Sequence, residues 1–231
     1  MSGRGRLALF DLDGTLLTGD TDALWCEFLM SEGVLERDAF EAVNGDVFER
    51  YGRGAITPAE YCAFYAGTLR GKGAAGWAPH RERFVATAIA PRIPAAARAL
   101  VDTHRDAGDT LVLTTATNRF LTEPIADLLG IGELIATELE RGNEIGNERS
   151  VFTGRNTGVL NMREGKVERL HAWLSSRGTE PSSLDVATFY SDSVNDLPLL
   201  RAVGHPVAVD PDARLLAEAA ARGWPVLKLA R

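Results

Sequence analysis

The stretch LALFDLDGT, residues 7–15, joins a short apolar run directly to a pair of carboxylates. The apolar run is typical of a buried parallel strand. Such a strand would deliver Asp11 and Asp13 to the carboxyl edge of an open α/β sheet, where ligands bind. Two adjacent carboxylates repel each other unless a proton or a cation lies between them. Because Mg²⁺ prefers oxygen ligands, the stretch predicts a magnesium site in which Asp11 attacks a substrate and Asp13 transfers protons.

Two other interpretations of this stretch predict different chemistry. A solvated turn after a strand would also contain Asp and Gly, since both residues favour turns. An EF-hand calcium loop begins with Asp-x-Asp as well, but it requires Gly at its sixth position and Glu at its twelfth. Leu16 and Asp22 stand at those positions, so the sequence excludes the calcium loop. The turn remains open until other segments show matching chemistry.

Residues 110–116 (TLVLTTA) supply the first matching segment. They predict a buried strand that ends in the hydroxyl groups of Thr114 and Thr115, followed by a helix from about Asn118. A hydroxyl beside the free backbone N–H groups of a helix start is a suitable phosphate site. Threonine is also common in strands, so this segment alone decides nothing.

Residues 186–192 (VATFYSD) predict another apolar strand, and this one ends in Asp192. Asp196 follows four residues later, in the first turn of the next predicted helix, where it could simply favour the helix dipole. Lys166 is one of only three lysines among 25 basic residues. A lysine in an arginine-rich chain indicates that a compact point charge is needed there, although a solvated lysine at a helix start is the alternative.

In this order along the chain, the segments resemble the four motifs of the haloacid dehalogenase superfamily, in its phosphoserine phosphatase-like branch. The resemblance implies that Asp11 is the nucleophile, which forms an aspartyl-phosphate, and that Asp13 is the general acid and base. It implies that Thr115 is the hydroxyl of the second motif, with the neighbouring Thr114 as an alternative. Lys166 corresponds to the lysine of the third motif.

The resemblance further implies that Mg²⁺ is the cofactor of this chain. The residues that it assigns to the metal are aspartates of the first and fourth motifs: Asp11, Asp13, Asp192 and Asp196. Asp192 would be a direct ligand, and Asp196 would lie behind it and orient the metal shell or Lys166. The implied activity is the hydrolysis of a small phosphomonoester, with a phosphotransferase of the same fold as an alternative.

Substrate recognition is expected from residues near the first, second and fourth motifs, namely Asp20, Thr115, Ala116 and Asn195. Phosphoserine phosphatases carry Glu nine residues beyond the nucleophile, where this chain has Asp20. Asp20 could pair with an ammonium group, or it could equally be the N-cap of a helix.

Two departures from the phosphoserine phosphatase pattern concern the substrate. The second motif continues as TATN, residues 115–118, where those enzymes have Ser-Gly-Gly, and no arginine is clearly assigned to a substrate carboxylate. Arg50 and Arg53 are the candidates for that arginine. These departures argue against strict phosphoserine specificity. An amino-acid-related substrate such as phosphoserine remains the first expectation, and histidinol phosphate or another small metabolite is the second.

The pattern along the chain predicts an α/β fold: a doubly wound parallel sheet of six strands with a Rossmann-like core, and a second, smaller helical cap domain. Residues 20 to about 95 show helical periodicity with a break at residues 71–76, so they cannot lie within the sheet. The predicted core comprises residues 1–16 and 96–231, and the predicted cap comprises residues 17–95. Residues 140–163 are polar and rich in Gly and Asn, and they predict a β-hairpin.

Composition limits the classes of partner. The chain has 231 residues, 45% of them hydrophobic, and a formal net charge of −7 without a block of basic residues. These properties are typical of a globular enzyme and argue against a nucleic-acid partner. The isolated Cys26 and Cys62 indicate a reducing compartment. The short apolar run at the N-terminus predicts neither a signal peptide nor a membrane span, so the cytoplasm is the expected location.

A binding module that retains the fold without catalysis is the rival from another functional class. Loss of Asp11 or Asp13 would favour it, and both residues are present. The chain also lacks the P-loop, the dinucleotide fingerprint, the His-Glu-x-x-His zinc motif and the Gly-x-Ser-x-Gly elbow. A dehalogenase would need neither Mg²⁺ nor an acid at position 13. The sequence therefore favours a phosphatase.

Overall fold

The structure is a computed structural model that describes residues 5–143 and 150–230. Its centre is a seven-stranded sheet. In chain order the strands are β1 (Leu7–Phe10), β2 (Thr110–Asn118), β3 (Glu133–Asn143), β4 (Ser150–Thr157), β5 (Thr188–Ser191), β6 (His205–Val209) and β7 (Val226–Leu227). Side by side they follow the order β4-β3-β2-β1-β5-β6-β7. The strand that carries the first motif, β1, therefore lies between β2 and β5.

The six predicted strands are all present, and their pairings are parallel. At one edge, β3 continues beyond its pairing with β2 and pairs with β4 in the antiparallel sense. This is the hairpin predicted within residues 140–163; its residues 144–149 lie outside the described part of the chain. An antiparallel edge strand is common on doubly wound sheets.

Helices cover both faces of the sheet. The helices that follow β2, β4, β5 and β6 are α6 (Arg119–Leu129), α7 (Glu164–Ser176), α8 (Leu197–Ala202) and α9 (Ala213–Arg222), and α5 (Ala95–Asp106) precedes β2. Side chains alternate between the faces of a strand, so Phe10 joins a cluster that includes residues of α5 and α6. Its neighbour Leu9 joins a second cluster with residues of α7, α8 and α9. This two-sided burial confirms the predicted doubly wound α/β fold.

Every regular element described between β1 and α5 is helical. These elements are α1 (Thr21–Ser31), α2 (Arg37–Gly52), α3 (Pro58–Ala66), α4 (Ala74–Phe84) and short 3₁₀ or π turns at Gly67–Leu69, Val85–Ile89 and Ala90–Arg92. The predicted break at residues 71–76 occurs slightly earlier, because α4 already begins at Ala74. The backbone of Gly71 and Lys72 instead pairs with Phe152 of β4, at 2.9 and 3.0 Å.

The base of this helical insertion shares a core with the sheet. Trp25, Trp77 and Phe84 are almost fully buried, and both Trp77 and Phe84 pack edge-on against Trp25. Their cluster continues into Phe10 and Phe120 beside the sheet. These aromatic residues therefore belong to the core, while the boundaries of a cap at residues 17–95 stay a prediction.

Helices α2 and α3 depend on aromatic stacking, since α2 has no buried residue. The rings of Phe40 and Phe64 stack at 5.3 Å, and those of Tyr51 and Tyr61 stack at 4.3 Å. The capping box of Thr57 and Glu60 fixes the start of α3. This helix pair carries tyrosines to the edge of the sheet where β1 ends.

No single helix in residues 5–143 and 150–230 is long and apolar enough to cross a membrane. Two helical segments joined at a bend, residues 74–92 and 95–106, would together be long and apolar enough, by length and composition alone.

We expect Phe84→Ala to lower the free energy of unfolding by about 3–5 kcal/mol, because it leaves a cavity among packed rings. Phe48→Ala is the matched control, since Phe48 is 67% exposed, and it should change stability by no more than about 0.5 kcal/mol. Urea unfolding of both variants measures the difference. Equal effects would show that the aromatic cluster is not part of the cooperative core.

Candidate active site

The carboxyl ends of β2, β1 and β5 meet at the centre of the sheet, because these three strands are neighbours. They bring Thr115, Asp11 and Asp192 to one cavity of about 460 Å³, and the first turn of α7 adds Lys166. Three separate strand ends thus converge as the sequence predicted, and the isolated-turn interpretation of the first motif does not describe the structure.

Lys166 connects two of the aspartates. Its Nζ donates to Oδ1 of Asp11 at 2.8 Å and to Oδ2 of Asp196 at 2.6 Å, and its side chain is only 2% exposed. Ser191 Oγ also donates to Asp196 at 2.8 Å. Burial alone would lower the pKa of Lys166, but Asp11 and Asp196 outweigh it and hold that pKa above its usual value. The lysine therefore remains charged next to Asp11.

Asp192 approaches the first motif closely enough to require a glycine there. Thr15 Oγ1 donates to Asp192 Oδ1 at 3.0 Å and lies 3.4 Å from Asp11 Oδ2. A Cβ added to Gly14 would lie 2.1 Å from Oδ2 of Asp192, and Gly14 has a φ of +76°. Both the space and the left-handed backbone exclude a larger residue. Thr15 and Gly14 together hold the carboxylates of Asp11 and Asp192 side by side.

Asp13 is oriented by hydrogen bonds from two different segments. The backbone N–H of Thr21 donates to Oδ1 at 2.7 Å, and the Thr21 hydroxyl donates to the same oxygen. Thr117 Oγ1 donates to Oδ2 at 2.9 Å. Burial, and after it the charge of Asp20, raises the pKa of Asp13 to about 7. A carboxyl group with such a pKa can hold or release a proton near neutral pH.

The site fits a divalent cation on the chemistry of its donors. Burial raises the pKa of Asp11 well above its usual value and that of Asp192 to about 6, and Lys166 offers only one positive charge to Asp11 and Asp196. Within the described residues, no group of three or more His, Cys, Asp or Glu side chains is arranged to hold a metal. The carboxylates of Asp11 and Asp192, with the backbone carbonyl of Asp13, would still suit Mg²⁺. This ion commonly keeps water and substrate oxygens among its ligands.

The two threonines of the second motif lie in different surroundings, because neighbouring strand residues face opposite sides. Thr115 lines the cavity, whereas the Thr114 hydroxyl accepts a hydrogen bond from Asn161 Nδ2 at 3.0 Å. The geometry therefore favours Thr115 as the phosphate contact.

Known proteins resemble this chain over most of its length. Residues 8–201 match the haloacid dehalogenase-like hydrolase family. The chain belongs to this family. A histidinol-phosphatase of Neisseria meningitidis serogroup C (strain 8013) is 39% identical over 221 residues, which cover 96% of this chain and 97% of the relative.

Solved structures agree with the family assignment. A protein of unknown function from Bordetella pertussis Tohama I has 41% sequence identity and a TM-score of 0.89, covering 96% of this chain and 98% of that one. A substrate-bound phosphoserine phosphatase has a TM-score of 0.68 at 16% identity, covering 98% of this chain and 94% of that one; this likeness shows the fold. Family and relatives together make the chain a phosphoric monoester hydrolase, and phosphatases of this family generally use Mg²⁺.

The structure brings the expected substrate-binding residues of the hydrolase together. Asp20, Thr115, Ala116 and Asn195 all line the cavity. Asp20 is also the N-cap of α1, where its Oδ1 accepts from the backbone N–H of Ala23 at 2.8 Å.

The two candidate arginines do not reach the cavity. Arg50 pairs with Asp46, and Arg53 pairs with Glu49, along the solvent-exposed face of α2.

Asn161 is a residue of the hydrolase that sequence reasoning missed. Its fully buried Nδ2 lies within hydrogen-bond distance of Thr114 Oγ1 and of the backbone carbonyls of Thr115 and Ile135, at 2.8–3.0 Å. Its backbone N–H donates to Thr137. The side chain and the backbone of Asn161 thus connect β2 and β3 to the loop before α7. A single Asn in a polar loop carries no sequence signal for this role.

Asp22, Tyr51 and Tyr61 were also missed as cavity residues. In the sequence, the position of Asp22 in the first turn of a helix is explained by the helix dipole. Tyr51 and Tyr61 stand within helical segments, where aromatic residues are ordinary. Only the packing of α1, α2 and α3 shows that they face the site.

We expect Asn161→Ala to weaken both stability and catalysis, because buried carbonyls of β2 and β3 lose their donor at about 1–3 kcal/mol each. Loss of the hydrogen bond to the Thr115 carbonyl should also displace Thr115, and the displacement should lower kcat/KM. Asn156→Ala is the control, since Nδ2 of Asn156 has no hydrogen-bond partner among the described residues. Urea unfolding and initial rates on p-nitrophenyl phosphate would contradict this role if the two variants behaved alike.

Proposed function

We propose that the chain is a Mg²⁺-dependent phosphatase of a small, amine-bearing phosphomonoester, and that it acts through an aspartyl-phosphate on Asp11. The observation that carries the proposal is the pairing of buried Asp11 with Lys166 at 2.8 Å, beside a second carboxyl group, Asp13, whose pKa lies near neutrality. A nucleophile and a proton carrier are the two groups that phosphate ester hydrolysis through a covalent intermediate requires.

Each step uses groups that the site already holds. Asp11 forms a bond to phosphorus while the bond from phosphorus to the ester oxygen breaks, and Asp13 gives its proton to that oxygen. Asp13 then takes a proton from a water molecule, which attacks phosphorus and releases Asp11 and inorganic phosphate. Lys166 reduces the repulsion between Asp11 and the incoming phosphate, and the Thr115 hydroxyl binds a phosphate oxygen.

The carboxylates of Asp11 and Asp192 and the backbone carbonyl of Asp13 would hold Mg²⁺. When bound, the ion supplies neutralisation of the phosphate charge. Oδ2 of Asp196 accepts hydrogen bonds from both Lys166 and Ser191, which supports a role in positioning the lysine. Its assignment to the metal stays a prediction.

Asp11→Asn should reduce the activity to background at every Mg²⁺ concentration, because the amide cannot attack phosphorus. Asp192→Asn should instead raise the Mg²⁺ concentration needed for half-maximal rate, and excess Mg²⁺ should restore part of the activity. Initial rates on p-nitrophenyl phosphate across a magnesium titration separate the two variants. Rescue of Asp11→Asn by magnesium would refute its role as nucleophile.

The cavity contains two further acidic groups besides the aspartates already described. Asp20 and Asp22, from the start of α1, both line it. Burial, and then the charges of Asp20 and Asp13, raises the pKa of Asp22 well above its usual value. A substrate ammonium would relieve this repulsion, so the carboxylates favour a substrate with a positive charge away from its phosphate.

The described lining of the cavity provides no uncommitted lysine or arginine for a substrate carboxylate. Among the described residues that line the cavity, Lys166 is the only lysine or arginine, and it is committed to Asp11 and Asp196. Phosphoserine carries a carboxylate beside its ammonium, whereas histidinol phosphate carries an imidazolylmethyl group in that place. The charges of the cavity therefore support histidinol phosphate over phosphoserine.

The comparisons support the same choice. The Neisseria relative, which is 39% identical over nearly its whole length, is a histidinol-phosphatase. The phosphoserine phosphatase structure is 16% identical, so its likeness concerns the fold. Histidinol phosphate is accordingly the substrate that we propose, and phosphoserine is the second candidate.

The test compares kcat/KM for histidinol phosphate, O-phosphoserine and p-nitrophenyl phosphate, with histidinol phosphate expected to be preferred. Loss of an ion pair in a partly desolvated site costs about 1.5–3 kcal/mol, so Asp20→Asn and Asp22→Asn should lower the ratio of histidinol phosphate to p-nitrophenyl phosphate by about ten- to a hundredfold. Asp46→Asn, on the exposed face of α2, should leave this ratio unchanged. A wild-type preference for phosphoserine would overturn the proposed substrate.

A further inference from the structure

Two tyrosines of the helical insertion face the active-site cavity. Tyr51 lies near the end of α2 and Tyr61 lies in α3, and both line the cavity while remaining half-buried. Their ring centroids are 4.3 Å apart with 24° between the planes. This tyrosine pair adds an aromatic surface to the cavity that also contains Thr115 and Lys166.

The hydroxyl groups of the tyrosine pair are already engaged. The Tyr51 hydroxyl donates to Sδ of Met162 at 3.8 Å and accepts from Arg163 at 3.2 Å. The Tyr61 hydroxyl donates to that of Tyr65 at 3.4 Å. The Arg163 guanidinium already lies 5.9 Å from the centroid of the Tyr51 ring. The remaining ring surface of the pair offers a ligand aromatic contact rather than hydrogen-bond donors, and such a surface binds planar groups.

The position of Tyr51 is tied to the catalytic lysine. Arg163, which donates to Tyr51, lies three residues before Lys166 and has a φ of +52°. A non-glycine residue in this region persists only where its surroundings hold it. The N-cap of the helix that carries Lys166 thus also holds one ring of the pair, so the aromatic surface lies at a defined position relative to Lys166.

The acids at the start of α1 share the cavity with this surface, since Asp20, Asp22, Tyr51 and Tyr61 all line it. A ligand whose ammonium reaches the acids therefore has its next substituent close to the rings.

We propose that Tyr51 and Tyr61 form a subsite for a planar ring carried on the amine-bearing carbon of the substrate. The proposal rests on the proposed function, because it takes the phosphate at Asp11 and the ammonium at Asp20 and Asp22 as given. It names the substrate class as 2-amino-alkyl phosphates with an aromatic side group, of which histidinol phosphate is one. The subsite selects against substrates that lack a ring.

The experiment uses two substrates that share phosphate and ammonium and differ in the ring. These are 2-amino-3-phenylpropyl phosphate, which has a ring, and O-phosphoethanolamine, which has none. Tyr51→Leu and Tyr61→Leu keep apolar volume and remove the aromatic surface. Each should lower the ratio of kcat/KM for the ring-bearing substrate to that for the ringless one by about three- to tenfold, the range of aromatic pair energies.

Phe64→Leu is the matched control, because Phe64 belongs to the other stacked pair between α2 and α3 and does not line the cavity. It should leave the ratio unchanged. Thermal unfolding verifies that the variants are folded. An unchanged ratio in both tyrosine variants, or a fall of equal size in the control, would overturn the ring subsite.

Failure of the proposed substrate is a separate outcome. If the wild-type enzyme prefers phosphoserine to histidinol phosphate, the proposed function is wrong in its substrate. The ring subsite is judged on the phenylpropyl and ethanolamine phosphates, which contain neither imidazole nor carboxylate.

Discussion

The organisation of this protein depends on the concentration of negative charge at one buried edge of a sheet. Asp11, Asp192 and Asp196 arrive there with a single buried ammonium group, Lys166, which contacts Asp11 and Asp196 directly. Burial of carboxylates raises their pKa values unless cations compensate. A divalent cation would supply that compensation, which supports the Mg²⁺ site that we propose.

Placing these groups together makes strict demands on the backbone around them. Gly14 must lack a side chain because Asp192 occupies its space, and Thr15 must bridge two carboxylates that would otherwise repel each other. Asn161 satisfies carbonyls at the ends of two strands with one amide. These residues take no part in the chemistry, but without them the strand ends could not carry reactive groups at fixed distances.

In the proposed function, catalysis and substrate choice depend on different parts of the chain. The groups that we assign to the chemistry belong to strand ends and to α7, whereas the acids and tyrosines that we assign to recognition belong to helices inserted between β1 and β2. Asp13 connects the two parts, since it accepts hydrogen bonds from Thr21 of α1 and from Thr117 of β2. A change of substrate can therefore evolve through the helices while the phosphoryl chemistry is retained.

The sequence by itself predicted the six parallel strands, the doubly wound class and the residues that meet at the candidate site. Apolar runs that end in Asp11, Thr115 and Asp192 are local signals, and they predict strand ends at one edge whatever the rest of the chain does. The tertiary structure alone decided which neighbours those residues have. The role of Asn161, the choice between Thr114 and Thr115, the exposure of Arg50 and Arg53, and the convergence of Asp22 with Tyr51 and Tyr61 all depend on contacts between segments far apart in sequence. Periodicity describes how one segment presents its side chains, and it contains no information about which distant segment packs against them.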